Sequence, residues 1–177
     1  MKSPLIGLLA GLISLLGGFT PMPSRADGPA ADSVKAGFVY NFSKFIEWPA
    51  NALPAGGAMQ LCVVGQALDG KLNSLQGRQS QGREIRVRNL AATADPTGCH
   101  ILYIGVSEER RLNSVLAAVA GSPVLTISDM GEFPEFGGMI GLNLQNERVV
   151  FTINLANTRA AGLRASSQLL RLGRVIQ

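Results

Sequence analysis

Imidazole and thiol groups are almost absent from these 177 residues, which contain one histidine, His100, and two cysteines, Cys62 and Cys99. No CxxC or HxxxH spacing accompanies them, so the common zinc-site signatures are missing. A serine nucleophile would have only His100 as its imidazole base, and that residue opens an apolar run beside Cys99, poorly placed for such service. No glycine-rich phosphate loop follows the first internal apolar run, because Gly65 alone does not make a dinucleotide fingerprint. There is no internal repeat and no long linker. The basic excess is small, with 16 Lys and Arg against 12 Asp and Glu. Arg83, Arg86 and Arg88 cluster, yet they alternate with Ile85 and Val87 as the outward, solvated face of a strand does. No nucleic-acid surface is expected from them.

One long uncharged apolar stretch, Pro4 to Phe19, stands at the N-terminus behind Lys2. It leads into the turn-rich PMPSRAD, where Ser24 and Ala26 supply small residues before a cut. This pattern predicts a signal peptide over residues 1–26, cleaved after Ala26, and a mature domain over residues 27–177. The stretch is shorter than the roughly 20 apolar residues of a spanning helix. The expected location is therefore the periplasm, and the mature chain is long enough for one domain with a true core. In that oxidising compartment Cys62, within MQLCVVG, and Cys99, opening CHILYIG, suit a disulfide if their strands are neighbours. Metal ligation by the two cysteines and His100 is the alternative, and it lacks the ligand spacing.

Alternating patterns predict an α/β single domain: a mixed, mainly parallel sheet with a C-terminal β-hairpin and helices on both faces. Strands are expected at Gln60–Gly65, Arg83–Arg88, Cys99–Gly105 and Val124–Ser128. A short helix is expected at Leu68–Leu75. Another is capped by Ser107, with Glu108 and Glu109 in its first turn and Leu112, Val115, Leu116 and Val119 as its buried stripe. Met139–Leu144 and Arg148–Ile153 read as the hairpin. Asn154 is the N-cap of a helix from Leu155 that Gly162 ends, and Ser166 or Ser167 starts a last one. Asp129–Gly138 has no period and should be the least ordered segment.

Half of the ten aromatic residues lie in VKAGFVYNFSKFIEWP. At 100° per residue Val34, Phe38, Val39, Phe42, Phe45 and Ile46 form one apolar helix face. Tyr40, Lys44 and Glu47 point away from it and Trp48 sits on its margin. Tyr40, Lys44 and Trp48 are thus candidate partner contacts, with Phe133 and Phe136 as a second patch. Asp129, at a strand's carboxyl end, is the best acid candidate, with Glu132 and Glu135 near in sequence. Turn composition around the three favours solvated loop carboxylates instead, and no catalytic residue, metal or cofactor is expected.

The order of VKAGFVYNFSKFIEWP, LCVVG, IRVR, GCHILYIG, PVLTISD, GGMIGLN and FTINLANTRAAGLRASSQLLRL resembles the YfiR family of periplasmic proteins over essentially the whole mature chain. The resemblance implies a non-enzymatic regulator that binds and represses a membrane-bound diguanylate cyclase of the YfiN type, lowering cyclic-di-GMP and biofilm formation. It also implies an outer-membrane lipoprotein as a further partner and a homodimer. Cys62 and Cys99 match one cysteine pair of the family. The second pair is missing between Asp129 and Gly141, so redox control through it does not carry over. Two other readings compete: a small-molecule sensor for another membrane signalling system, with a pocket at the strand ends near Asp129 and Gly105, and a hydrolase using Asp129 with Glu132 or Glu135.

Overall fold

The protein is described by a computed structural model that covers residues 29–53 and 55–177; the expected signal peptide, residues 1–26, lies outside the described residues. Helix α1 (Pro29–Phe45) comes first. Proline is compatible with its first position, where the N–H has no intrahelical acceptor to lose. The expected apolar face holds at its centre: Val39, Phe42 and Ile46 are wholly buried, and Phe38 and Phe45 are half-buried. Val34 departs from it and is exposed, while Lys35 and Ala36 are buried beside it. The helix also stops before Ile46. Ile46–Glu47 form a short strand, β1, antiparallel to β9 (Arg164–Ala165), and Pro49 favours extended backbone at the residue before it, Trp48. Gln81 closes the helix end, donating from Nε2 to the carbonyls of Ser43 and Ile46 at 2.8 Å each.

Five strands form the parallel body of an eight-stranded sheet: β2 (Met59–Val64), β4 (Arg83–Leu90), β5 (Ile101–Ile104), β6 (Leu125–Ser128) and β7 (Ile140–Gln145). Their spatial order is β4-β2-β5-β6-β7, with β2 between the two strands that follow it in this body. β3 (Gln79–Ser80) adds antiparallel at one edge. β8 (Arg148–Asn154) pairs antiparallel with β7, and β10 (Arg174–Ile176) lies parallel on the outer side of β8. Asn146 and Glu147 turn the β7–β8 hairpin with φ of 48° and 61°, the positive pair that a two-residue hairpin loop demands.

Both sheet faces are covered. On one, α1 packs its Phe38 and Phe42 rings against Phe151 of β8, with centroids 5.6 and 5.1 Å apart, over Leu61, Tyr103, Ile127 and Ile140. On the other, α2 (Leu112–Ala118) lays Leu112 and Val115 over Cys62, Val64, Leu102 and Ile104. Every residue of β5 and β6 is buried, as expected of central parallel strands; β5 is an unbroken apolar run, while β6 also buries Thr126 and Ser128. Cys62 and Cys99 are bridged within the α2-side core, with Cα atoms 5.8 Å apart. β2 and β5 are indeed neighbours, which is the geometric condition the bridge needs.

Several local expectations hold and others fail for tertiary reasons. Asn154 accepts from the Asn157 N–H to cap α3 (Leu155–Ala160), and Ser166 accepts from the Leu169 N–H to cap α4 (Ser167–Leu170). Ser107 caps nothing. Val106–Arg111 is a 3-10 turn leading into α2, and the Ser107 hydroxyl accepts instead from the Gln66 N–H at 2.9 Å. Leu68–Leu75 is also 3-10, broken by left-handed Asp69 and Gly70. Arg83 is no solvated side chain. It donates to the carbonyls of Leu53 and Gly57 at 2.8 and 3.2 Å, tying the β1–β2 connection to β4. Asp129–Gly138, expected to be the least ordered segment, is a run of turns closed around the buried Met130 and Phe133. A Cβ on Gly138 would collide with the Phe133 ring, so glycine is needed for this closure.

The bridge spans 37 residues of sequence, and a closed loop of that length restricts the unfolded chain by about 2 to 4 kcal/mol. Cys62→Ala should therefore lower the oxidised protein's unfolding free energy by about that amount while leaving the reduced protein little changed. Denaturant melts with and without reductant check this; coincident oxidised melts of variant and parent would refute it.

Candidate functional site

Five partner-contact candidates fall into separate environments. Tyr40 and Lys44 are together: the Lys44 ammonium lies 3.9 Å from the centroid of the Tyr40 ring. Arg78, which sequence reading missed, places its guanidinium 3.9 Å from the same ring. The Tyr40 hydroxyl donates to the Gln79 carbonyl at 2.9 Å, so the ring is fixed at the β3 edge by its own chain. The result is a rigid aromatic ring with two cations in contact with it, and both cations reach solvent. Their i,i+4 spacing on α1 explains Tyr40 with Lys44, whereas Arg78 arrives through sheet pairing and no local signal announces it.

Trp48 belongs elsewhere. Half-buried, it donates from Nε1 to the His100 carbonyl at 3.2 Å, at the entry to β5. Phe133 is a correction: it is fully buried under Gly138 and Gly141 and presents nothing to a partner. A large aromatic in a turn-rich segment looked exposed because the turns' closure is tertiary. Phe136 is 59% exposed and borders a shallow, largely apolar depression beside α2 and α3, with Leu116, Ala120, Met139 and Ala160.

His100 is a structural hub. Its Nδ1 accepts from the Gln60 N–H at 2.9 Å, which assigns the proton to Nε2, donating to the Ala52 carbonyl at 3.1 Å. Neither nitrogen is left to serve as a base. Burial holds its pKa below the ordinary 6.5; the Ala52 bond opposes that shift and the charge of Arg83 adds to it.

Asp129 is not a solvated loop carboxylate. It lies just beyond β6, where its Oδ2 receives the Lys35 ammonium at 2.8 Å and its Oδ1 the Tyr103 hydroxyl at 2.9 Å. The Lys35 side chain is only 6% exposed. Tyr103 is wholly buried, and its pKa is raised first by burial and then by the Asp129 charge, so the hydroxyl remains a donor. Glu135 instead pairs with Arg174 at 2.7 Å and Glu132 sits on an exposed turn. Asp129 and Glu135 thus each hold a different cation, and Glu132 faces solvent.

Beside this ion pair opens a cavity of about 960 Å³. The loop from Gly65 to Gly70 after β2, Val106 after β5, the first turns of α1 and Leu142–Leu144 of β7 enclose it. The β2 and β5 loops can meet only because Gly105 has no side chain: a Cβ there would strike the Gln66 carbonyl. Asn73, Asn89 and Asn143 reach the wall from three different elements or loops, which a linear reading could not bring together.

A family model described as YfiR/HmsC-like matches residues 32–174, taking in the chain from the first turn of α1 to the start of β10.

Two outcomes follow from these contacts. Removing the ammonium in Lys35→Met leaves a mostly buried carboxylate without its cation and should cost about 3 to 5 kcal/mol, read from urea melts. His100 must be neutral to accept from Gln60, and its folded pKa lies below the unfolded one. Its contribution is complete above about pH 6.5 and is lost as pH falls through the depressed value. His100→Gln should flatten the stability profile below pH 6.5; an unchanged slope would contradict the assignment.

Proposed function

We propose that this chain, which belongs to the YfiR/HmsC-like family of periplasmic, non-catalytic regulators of diguanylate cyclase signalling, binds the periplasmic domain of an inner-membrane diguanylate cyclase and represses it. The observation that carries this reading is the family match across the folded domain. Residues 1–26 are removed on export and residues 27–177 act as the mature domain. A regulator of this kind shifts its target only by binding one conformational state more tightly than the other, so a rigid contact surface suits it. The Tyr40, Lys44 and Arg78 stack is such a surface, and aromatic and arginine side chains are the common anchors of protein contacts. Trp48 and Phe136 supply further contacts, Phe136 from its apolar depression. In this reading the protein is a homodimer, and an outer-membrane lipoprotein is the further partner linked to release of the repression.

Deleting the gene should raise cyclic-di-GMP in the cell, measured by mass spectrometry. Arg78→Ala with Tyr40→Ala, and separately Phe136→Ala, should fail to restore repression. Each should weaken cyclase binding by about tenfold or more, as loss of a contact anchor does. Melting temperatures near the parent's distinguish lost binding from lost folding. Unchanged cyclic-di-GMP on deletion would overturn the reading.

A further inference from the structure

We propose that the 960 Å³ cavity at the carboxyl ends of β2, β5 and β6 binds a small aliphatic amine. This concerns a site on the chain itself and holds whether or not the cyclase is the partner. The position favours a ligand. The chain leaves β2 for β4 on one side and then crosses to β5 on the other, so the strand order reverses around β2. In open α/β sheets small molecules settle outside the carboxyl ends of strands at such a reversal. Phosphorylated ligands, which often occupy that place, do not match these walls. Asp32, Asp69 and Asp129 face the cavity with a single cation, Lys35, which lies 2.8 Å from Asp129 and 3.8 Å from Asp32, so Asp69 is the carboxylate that stands outside this set. Lys35 is already held at 2.8 Å by Asp129, so its charge is matched within the wall.

Each remaining surface has a use for an amine. Asp69, exposed on the loop after β2, accepts hydrogen bonds from the ammonium. Asn73, Asn89 and Asn143 offer carboxamides to a second polar end. Val106, which is exposed, and Leu144, which is half-buried, supply apolar contact for the methylenes between the two ends. The Lys35–Asp129–Tyr103 set, buried and mutually bonded, forms a fixed wall that needs no rearrangement on binding.

Calorimetry and thermal melts of the exported protein at fixed ionic strength test this, with putrescine, ethanolamine and spermidine as probes. Uncharged 1,4-butanediol and anionic succinate serve as controls. At least one amine should bind saturably and raise the melting temperature, while both controls should leave it unchanged. Asp69→Asn should weaken that amine by about tenfold or more, the range of a lost charge-assisted hydrogen bond. The variant should melt like the parent, because asparagine tolerates the φ of 43° that Asp69 adopts. No saturable binding by any of the three amines up to about 10 mM would overturn the proposal. Equal affinity for parent and Asp69→Asn, or an equal response to butanediol, would overturn it as well. None of these readouts uses a cyclase, so failure here is distinguishable from failure of the regulatory reading.

Discussion

The parallel pairing of β2 with β5 is the constraint on which the other features depend. At its amino end the pair aligns Gln60 with His100, whose ring then fastens the β1–β2 connection through Ala52. On the α2 face it allows Cys62 and Cys99 to bridge. At its carboxyl end it brings Gly65 against the Ser107 and Glu108 side chains and Gly105 against the Gln66 carbonyl, so that the two loops meet where neither glycine has a side chain and a cavity opens on the α1 side. A parallel pair needs a long crossover, and the disulfide restricts the chain over that crossover. Covalent link, imidazole and glycine contact thus secure one non-local pairing.

Helix α1 depends on that sheet for more than apolar burial. Aromatic contact with Phe151 positions its middle, Gln81 satisfies carbonyls at its end, and the Lys35–Asp129 pair fixes its first turns over β6. Replacing such a buried pair by apolar groups is often neutral for stability, whereas breaking it is costly. Its main consequence is orientation: one register of α1 over the sheet satisfies both charges. The same register presents Tyr40 and Lys44 at the β3 edge, where Arg78 joins them. A contact surface and a cavity wall are therefore set by one helix placement.

Much of the fold was legible because its signals are local. β5 read as an unbroken apolar run, the β7–β8 hairpin as two extended segments about a short polar turn, Asn154 as a cap, and Ser166 or Ser167 as another, with each observed acceptor three residues from its donor. The cysteine pairing was legible only on the condition that two strands be neighbours. Misreadings share a cause. Val34 fits the helical period, but among the described residues no element covers its position. Ser107 has a cap's sequence context, yet Gln66 from another loop takes its hydroxyl. Phe133 and Asp129 lie in a turn-rich segment whose composition suggests solvent, and long-range contacts bury the one and pair the other.

The sequence by itself determined the layered α/β class, the apolar strands, the cap residues and the family resemblance, because hydrophobic period and capping act over a few residues. Only the tertiary structure decided which polar groups meet. Lys35 and Asp129 are 94 positions apart, and nothing in local composition links them. Their pairing follows from laying one helix across the carboxyl end of a sheet whose strand order reverses, and that placement also creates the cavity beside them.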